Sequence, residues 1–123
     1  MPERIQLRRT KGWRKPAPGV NVTRPGKWGN RYQVHRRYYP HLRCSRWEVL
    51  DGTWIVTTHD NRQDAIANAV RLHRQAIEAR CAGFPTPEEI QAELAGQNLY
   101  CWCPPDLPCH GDTLLEIANR PTW

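Results

Sequence analysis

Asp51-Gly52 separates two β-rich runs, Trp47-Glu48-Val49-Leu50 and Thr53-Trp54-Ile55-Val56. Asp-Gly tolerates positive φ at both central positions of a two-residue turn, and such turns carry the twist that antiparallel strands need. The pattern predicts a β-hairpin within residues 47–58, the tightest local constraint on this fold.

The rest of the chain is organised around it. Ile5 and Leu7 alternate with polar residues, which predicts a short strand over 4–9; Val20 and Val22 predict a second over 20–23. Between them lies a basic loop broken by Pro and Gly, and Arg24 to Asn30 is a loop on turn chemistry. Residues 31–46 are basic and aromatic, with no clear period. Ile66, Ala69, Val70, His73 and Ile77 form one helical stripe within 62–80, with Asn61 as its cap. Thr86-Pro87-Glu88-Glu89 carries a capping box and opens a second helix that ends at Gly96. Asn98 to Cys103 predicts a short buried strand, and Thr113 to Asn119 a final helix stopped by Pro121. The order predicts an α/β fold: a small, mostly parallel sheet flanked by helices, with an inserted β-hairpin. At 123 residues the chain fits a single α/β domain over 1–123. Its parts are a basic, aromatic-rich stretch (1–46), the hairpin (47–58), and the helices with a Cys-His loop (59–123).

Charge divides along the same line. Residues 1–46 hold 13 basic residues and one acid, a net +12, whereas residues 47–123 hold five basic residues and 11 acids, a net −6. Only the first part can face a polyanion. Cations there are interleaved with Trp13, Trp28, Tyr32, Tyr38 and Tyr39, the composition of a nucleic-acid surface. No apolar run approaches the roughly 18 residues of a membrane span, and the first residues lack a signal peptide's apolar stretch. The expectation is a cytoplasmic protein with no membrane contact. Five cysteines in a reducing compartment argue against a disulfide framework.

Three of the five cysteines cluster in Cys101-x-Cys103-x5-Cys109-His110, between a strand and a helix, where ligands bind in α/β folds. Thiolates and imidazole there can bind Zn²⁺ through Cys101, Cys103, Cys109 and His110, although the spacing is not that of the common knuckles. Cys44, His35 or His41 are alternative fourth ligands. Cys109, at a helix N-terminus beside His110, can instead be a reactive thiol, with His110 or Asp112 as acid–base. The third reading is a set of small buried residues. Cys44 and Cys81 are expected to be structural, as are His59 and His73.

The loop Thr23-Arg24-Pro25-Gly26-Lys27-Trp28-Gly29-Asn30 joins cations, glycines, an aromatic face and an amide. Arg24 and Lys27 can hold a phosphate, Gly29 lets backbone approach an anion, Trp28 can stack on a base, and Asn30 can bond its edge. Equally, Trp28 can plug the core and Asn30 can hold a turn with positive φ.

Three stretches, Arg4–Pro16 (RIQLRRTKGWRKP), Val22–Asn30 (VTRPGKWGN) and Leu99–Asn119 (LYCWCPPDLPCHGDTLLEIAN), resemble a family of uncharacterised phage and actinobacterial proteins, domain of unknown function 4326. The family usually continues Trp-Gly-Asn with Pro-Phe, where this chain has Arg31-Tyr32. The resemblance implies a phage or bacterial cytosolic origin and no mechanism. It selects Arg24, Trp28, Gly29, Asn30, Cys101, Cys103, Cys109, His110 and Asp112 as site positions.

The leading expectation is binding of a phosphate-bearing ligand, nucleic acid or nucleotide, with the two loops as walls of one site. The alternatives are an enzyme acting on a nucleotide or nucleobase through a Cys thiolate or zinc-bound water, and a phage protein that blocks an acidic host protein.

Overall fold

The structure, a computed structural model, describes residues 2–121. Nine elements follow one another: β1 (Arg4–Gln6), β2 (Gly19–Asn21), β3 (Tyr32–Tyr39), β4 (Cys44–Asp51), β5 (Trp54–His59), α1 (Arg62–Glu78), α2 (Pro87–Leu94), β6 (Asn98–Cys101) and α3 (His110–Asn119).

The strands form two sheets of three. One is parallel, in the order β1-β6-β2; the other is antiparallel, in the order β3-β4-β5. This corrects the expectation of one small, mostly parallel sheet with an inserted hairpin. The cause lies in residues 31–46. Tyr32 and Val34 are half-buried while Gln33 and His35 are exposed, a strand alternation, but Arg36 and Arg37 interrupt it at the next turn of the period. β3 pairs with β4 along its whole length, from Tyr32↔Asp51 to Tyr39↔Cys44, so the hairpin becomes a sheet of its own.

The predicted hairpin forms, with its turn one residue later than expected. Asp51 pairs with Trp54, which leaves Gly52-Thr53 as the loop, and Gly52 alone takes positive φ, at +62°. α1 packs on the antiparallel sheet through Val49, Ala65 and Ala69, with Tyr32, Val34 and Trp47 around them. Farther along, its Ile77 enters the larger core with Ile90, Leu94, Leu99, Leu114 and Ile117. Each such fully buried Leu or Ile contributes about 1.5–3 kcal/mol. One helix therefore fastens both sheets.

Helix starts agree closely with the sequence. The Asn61 side chain accepts from Asp64 N at 2.8 Å, and Thr86 and Glu89 complete the capping box. α3 starts earlier than expected, at His110, because the Cys109 sulfur serves as its cap. Among the described residues, no helix is long and apolar enough to cross a membrane.

Candidate functional site

β1, β2 and β6 are parallel, so their carboxyl ends leave the sheet on one side. β2 runs there into Thr23-Arg24, β6 into Trp102-Cys103, and α3 begins nearby at His110. A cleft of about 320 Å³ opens at this edge. Arg24 and Asn30 line it from the Trp-Gly-Asn loop, Arg62 and Ile66 from α1. Trp102, Leu107, Cys101, Cys103, Cys109 and His110 line it from the Cys-His loop, and Tyr32 and Val34 from β3.

The Trp-Gly-Asn loop is mostly scaffold. Trp28 is buried in the core, so its ring faces apolar side chains and not a ligand. Lys27 lies over the outer face of that ring and pairs with Glu89 at 3.0 Å and Glu93 at 2.8 Å. Gly29 packs so closely on Arg24 that a Cβ would lie 2.9 Å from Arg24 Cα. Asn30 donates through Nδ2 to Ala69 O at 3.2 Å and accepts from Tyr32 N at 2.8 Å, which stitches the loop to α1. It needs no positive φ to do so. Lys27, Trp28 and Gly29 do not line the cleft; Arg24 does, and its guanidinium also donates to Asn30 O at 3.1 Å.

The Cys-His loop is closely gathered. The sulfurs of Cys101, Cys103 and Cys109 lie within 4.8 Å of one another, a set that can hold a metal ion. Cys109 donates to Cys101 at 3.5 Å, while its own sulfur accepts from Gly111 N at 3.4 Å. Thiol donation from Cys103 and Cys109, helped by the charge of Arg4, holds Cys101 well below the usual thiol range. The hydrogen bonds to Cys101 push Cys103 and Cys109 up, so the three thiols titrate as one coupled group.

His110 is buried, and burial lowers its basicity. Its Nε2 lies 2.7 Å from Val22 O. A carbonyl can only accept, so Nε2 carries the hydrogen and Nδ1 keeps its lone pair. Nδ1 faces Cys109 Sγ at 3.6 Å. Asp112 is not among the cleft-lining residues and pairs with Arg4 at 3.0 Å. Cys44, His35 and His41 are absent from the cleft lining, and Cys44 and Cys81 are exposed instead of packed. His73 is fully buried, as a structural residue would be; His59 pairs with Thr57 Oγ1 at 2.8 Å.

Three residues at or beside this site were not singled out from the sequence. Arg62 opens α1 at the cleft, where the only local signal is its place after the Asn61 cap. Trp102 combines cleft lining with an exposed ring. Arg4 buries its stem on β1 and donates to Pro105 O at 3.0 Å and Leu107 O at 3.1 Å, holding the proline-rich loop. An isolated cation in an alternating strand carries no such signal.

The charge division is also partly cancelled in three dimensions. Arg4, Lys27, Arg31, Arg37 and Arg46 of the basic stretch each pair with a carboxylate from the acidic part.

A family model described as Domain of unknown function (DUF4326) matches residues 5–120. Comparisons with curated proteins and with solved structures gave no match.

Proposed function

The chain belongs to the DUF4326 family, and from that premise we propose that it binds a phosphate-bearing ligand of nucleotide size at the carboxyl edge of its parallel sheet. One observation carries the reading. The cleft there is bordered by two arginines from different elements, Arg24 and Arg62, and by the Trp102 ring, Leu107 and two prolines of the Cys-His loop. A guanidinium pairs bidentately with phosphate oxygens, and the apolar lining suits a base or sugar. The volume of about 320 Å³ lies at the small end for ligand clefts and accommodates one nucleoside-sized group. Titration with nucleoside mono-, di- and triphosphates, followed by tryptophan fluorescence, tests this. Arg24→Gln and Arg62→Gln should each weaken binding about tenfold, the scale of one lost charge-assisted hydrogen bond. Binding that neither substitution changes, or no binding, rejects the reading.

The cysteine trio favours a second reading. Zn²⁺ suits three thiolates, and the fourth position would remain open to the cleft or be closed by a shift of His110, whose Nδ1 is near Cys109 Sγ but outside the group the three sulfurs form. A closed site would be structural; an open one would activate a water against the bound nucleotide and make the protein an enzyme. Elemental analysis of the purified protein is decisive. One zinc per chain, lost in Cys101→Ser, supports the metal; a chain that takes up none when zinc is supplied rejects it.

A further inference from the structure

We infer that the ligand of this cleft is a single-stranded nucleic acid, its backbone carried by the loop from Arg8 to Lys15 and one base passed across Trp102 into the cleft. The inference rests on the cleft-binding reading and names its substrate class.

The first observation is how the cations are sorted. Lys27, Arg31, Arg46, Arg74, Arg80 and Arg120 each have a carboxylate partner within 3.1 Å. Arg8, Arg9, Lys11, Arg14 and Lys15 make no ion pair among the described residues, and all five are exposed. They stand within eight residues with no acid among them. Like charges so close repel one another, so the segment is poised for a polyanion that approaches from outside.

The second observation is where this loop lies. β1 hands over to it beside β6, and Leu7 N donates to Cys101 O at 2.7 Å. Arg9 then sits over the Trp102 ring, 4.7 Å from its centroid. At the far end Lys15 lies over the Tyr100 ring at 4.9 Å, and the Tyr100 hydroxyl bonds Ala17 O. The loop is thus pinned to β6 at both ends, beside the strand that feeds the cleft. Trp102 is shared: it lines the cleft, meets Arg9, and is 45% exposed.

The third is the chemistry of the combination. Unpaired cations follow a phosphate backbone, and an exposed aromatic ring stacks a base of any sequence. A duplex keeps its bases stacked inside and could deliver one to a cleft only by extruding it. An acidic protein would satisfy the cations, but it has no planar base to set against Trp102 at the cleft mouth.

The experiment compares four probes by fluorescence anisotropy over a salt series: an eight-nucleotide single strand, the same sequence as duplex, a nucleoside monophosphate, and polyglutamate as competitor. The single strand should bind at least tenfold tighter than the monophosphate and the duplex, and polyglutamate of equal charge should compete poorly. Replacing Arg8, Lys11 and Arg14 together by Gln should lower the salt slope by about 0.7 for each lost contact, with monophosphate affinity unchanged. Trp102→Ala should weaken the single strand about tenfold or more, the effect of losing one stacked base. A strand that binds no tighter than the monophosphate overturns this inference and leaves the cleft reading standing. Preference for duplex, or equal competition by polyglutamate, overturns it as well. Absence of binding by every probe overturns both readings.

Discussion

Arg4 Nε meets Asp112 Oδ1 at 3.0 Å and so joins the first strand to the first turn of the last helix. The two partners are unequal: the Arg4 side chain is 9% exposed and that of Asp112 is 53% exposed. Arg4 also supplies the donors for Pro105 O and Leu107 O, the carbonyls of the loop that walls the cleft. Arg4→Met keeps the buried stem and removes every donor. It should lower stability by about 1–3 kcal/mol in denaturant unfolding, since one mostly buried guanidinium gives up its charge-assisted bonds to two loop carbonyls and a carboxylate. Asp112→Asn, at a half-exposed position, should cost about 1 kcal/mol or less. Equal costs for the two would show that Arg4 is not the anchor.

Gly29 and Arg24 are in backbone contact, and this is why Trp-Gly-Asn carries its glycine. A Cβ at position 29 would lie 2.9 Å from Arg24 Cα and 3.0 Å from Arg24 N, distances that backbone atoms cannot yield cheaply. Gly29→Ala should therefore push Arg24 out of the cleft. Ligand affinity should fall about as far as in Arg24→Gln, roughly tenfold. Gly52→Ala serves as a comparison, because nothing lies near its Cβ position and it does not line the cleft. It should lower stability through its positive φ and leave affinity alone. Wild-type affinity in Gly29→Ala would refute this role.

His73 is fully buried, and neither ring nitrogen has a partner. Burial, with a smaller contribution from His110, whose ring stands 5.6 Å away, lowers its pKa from 6.5 to about 3. Between those values the unfolded chain binds a proton that the folded chain does not. Stability therefore rises with pH across that window and is lost as pH falls from about 6.5 towards 3, by at most about 1.4 kcal/mol per unit for this one group. His73→Leu removes two unpaired polar atoms from the core and should stabilise the protein by about 1–2 kcal/mol at pH 7. It should also flatten the acid side of the profile. Urea unfolding of both proteins at pH 7 and pH 5 gives the comparison, and identical pH slopes would rule His73 out as the source.

Where sequence and structure agree, the signal was local. The caps at Asn61 and Thr86 are short-range hydrogen bonds between residues three apart, and the Asp51-Gly52 pattern located the hairpin to within one residue. β3 was hidden because its partner strand, not its own composition, makes it a strand: Arg36 and Arg37 sit opposite Trp47 and Arg46 in a regular ladder. The cysteines could be grouped from spacing, since one turn brings Cys101, Cys103 and Cys109 together. The choice between core plug and stacking face for Trp28, and the partner of the Asn30 amide, could not, because they depend on a core built from Ile90, Leu94 and Leu114 and on Ala69 O, far along the chain. Arg4 is the extreme case, a residue whose side-chain bonds to Pro105, Leu107 and Asp112 all reach more than 100 positions away.

Lys27 separates a cation that its loop position makes a candidate from one that lines the cleft. It lies in the Trp-Gly-Asn loop beside Arg24, but its ammonium is held by Glu89 and Glu93 and covers the Trp28 ring. Those carboxylates raise its pKa through the hydrogen bonds they accept, Glu93 first. An ammonium already neutralised twice gives little to a phosphate, and it does not line the cleft. Lys27→Gln should leave nucleotide affinity within about twofold of wild type, the scale on which an uncoupled distant charge acts. Arg24→Gln, three residues away, should not. Thermal unfolding should show a lowered midpoint for Lys27→Gln that disappears in high salt, because exposed ion pairs are screened. If Lys27→Gln instead weakens binding as much as Arg24→Gln does, the ammonium leaves its carboxylates for the ligand, and the loop binds phosphate through both cations.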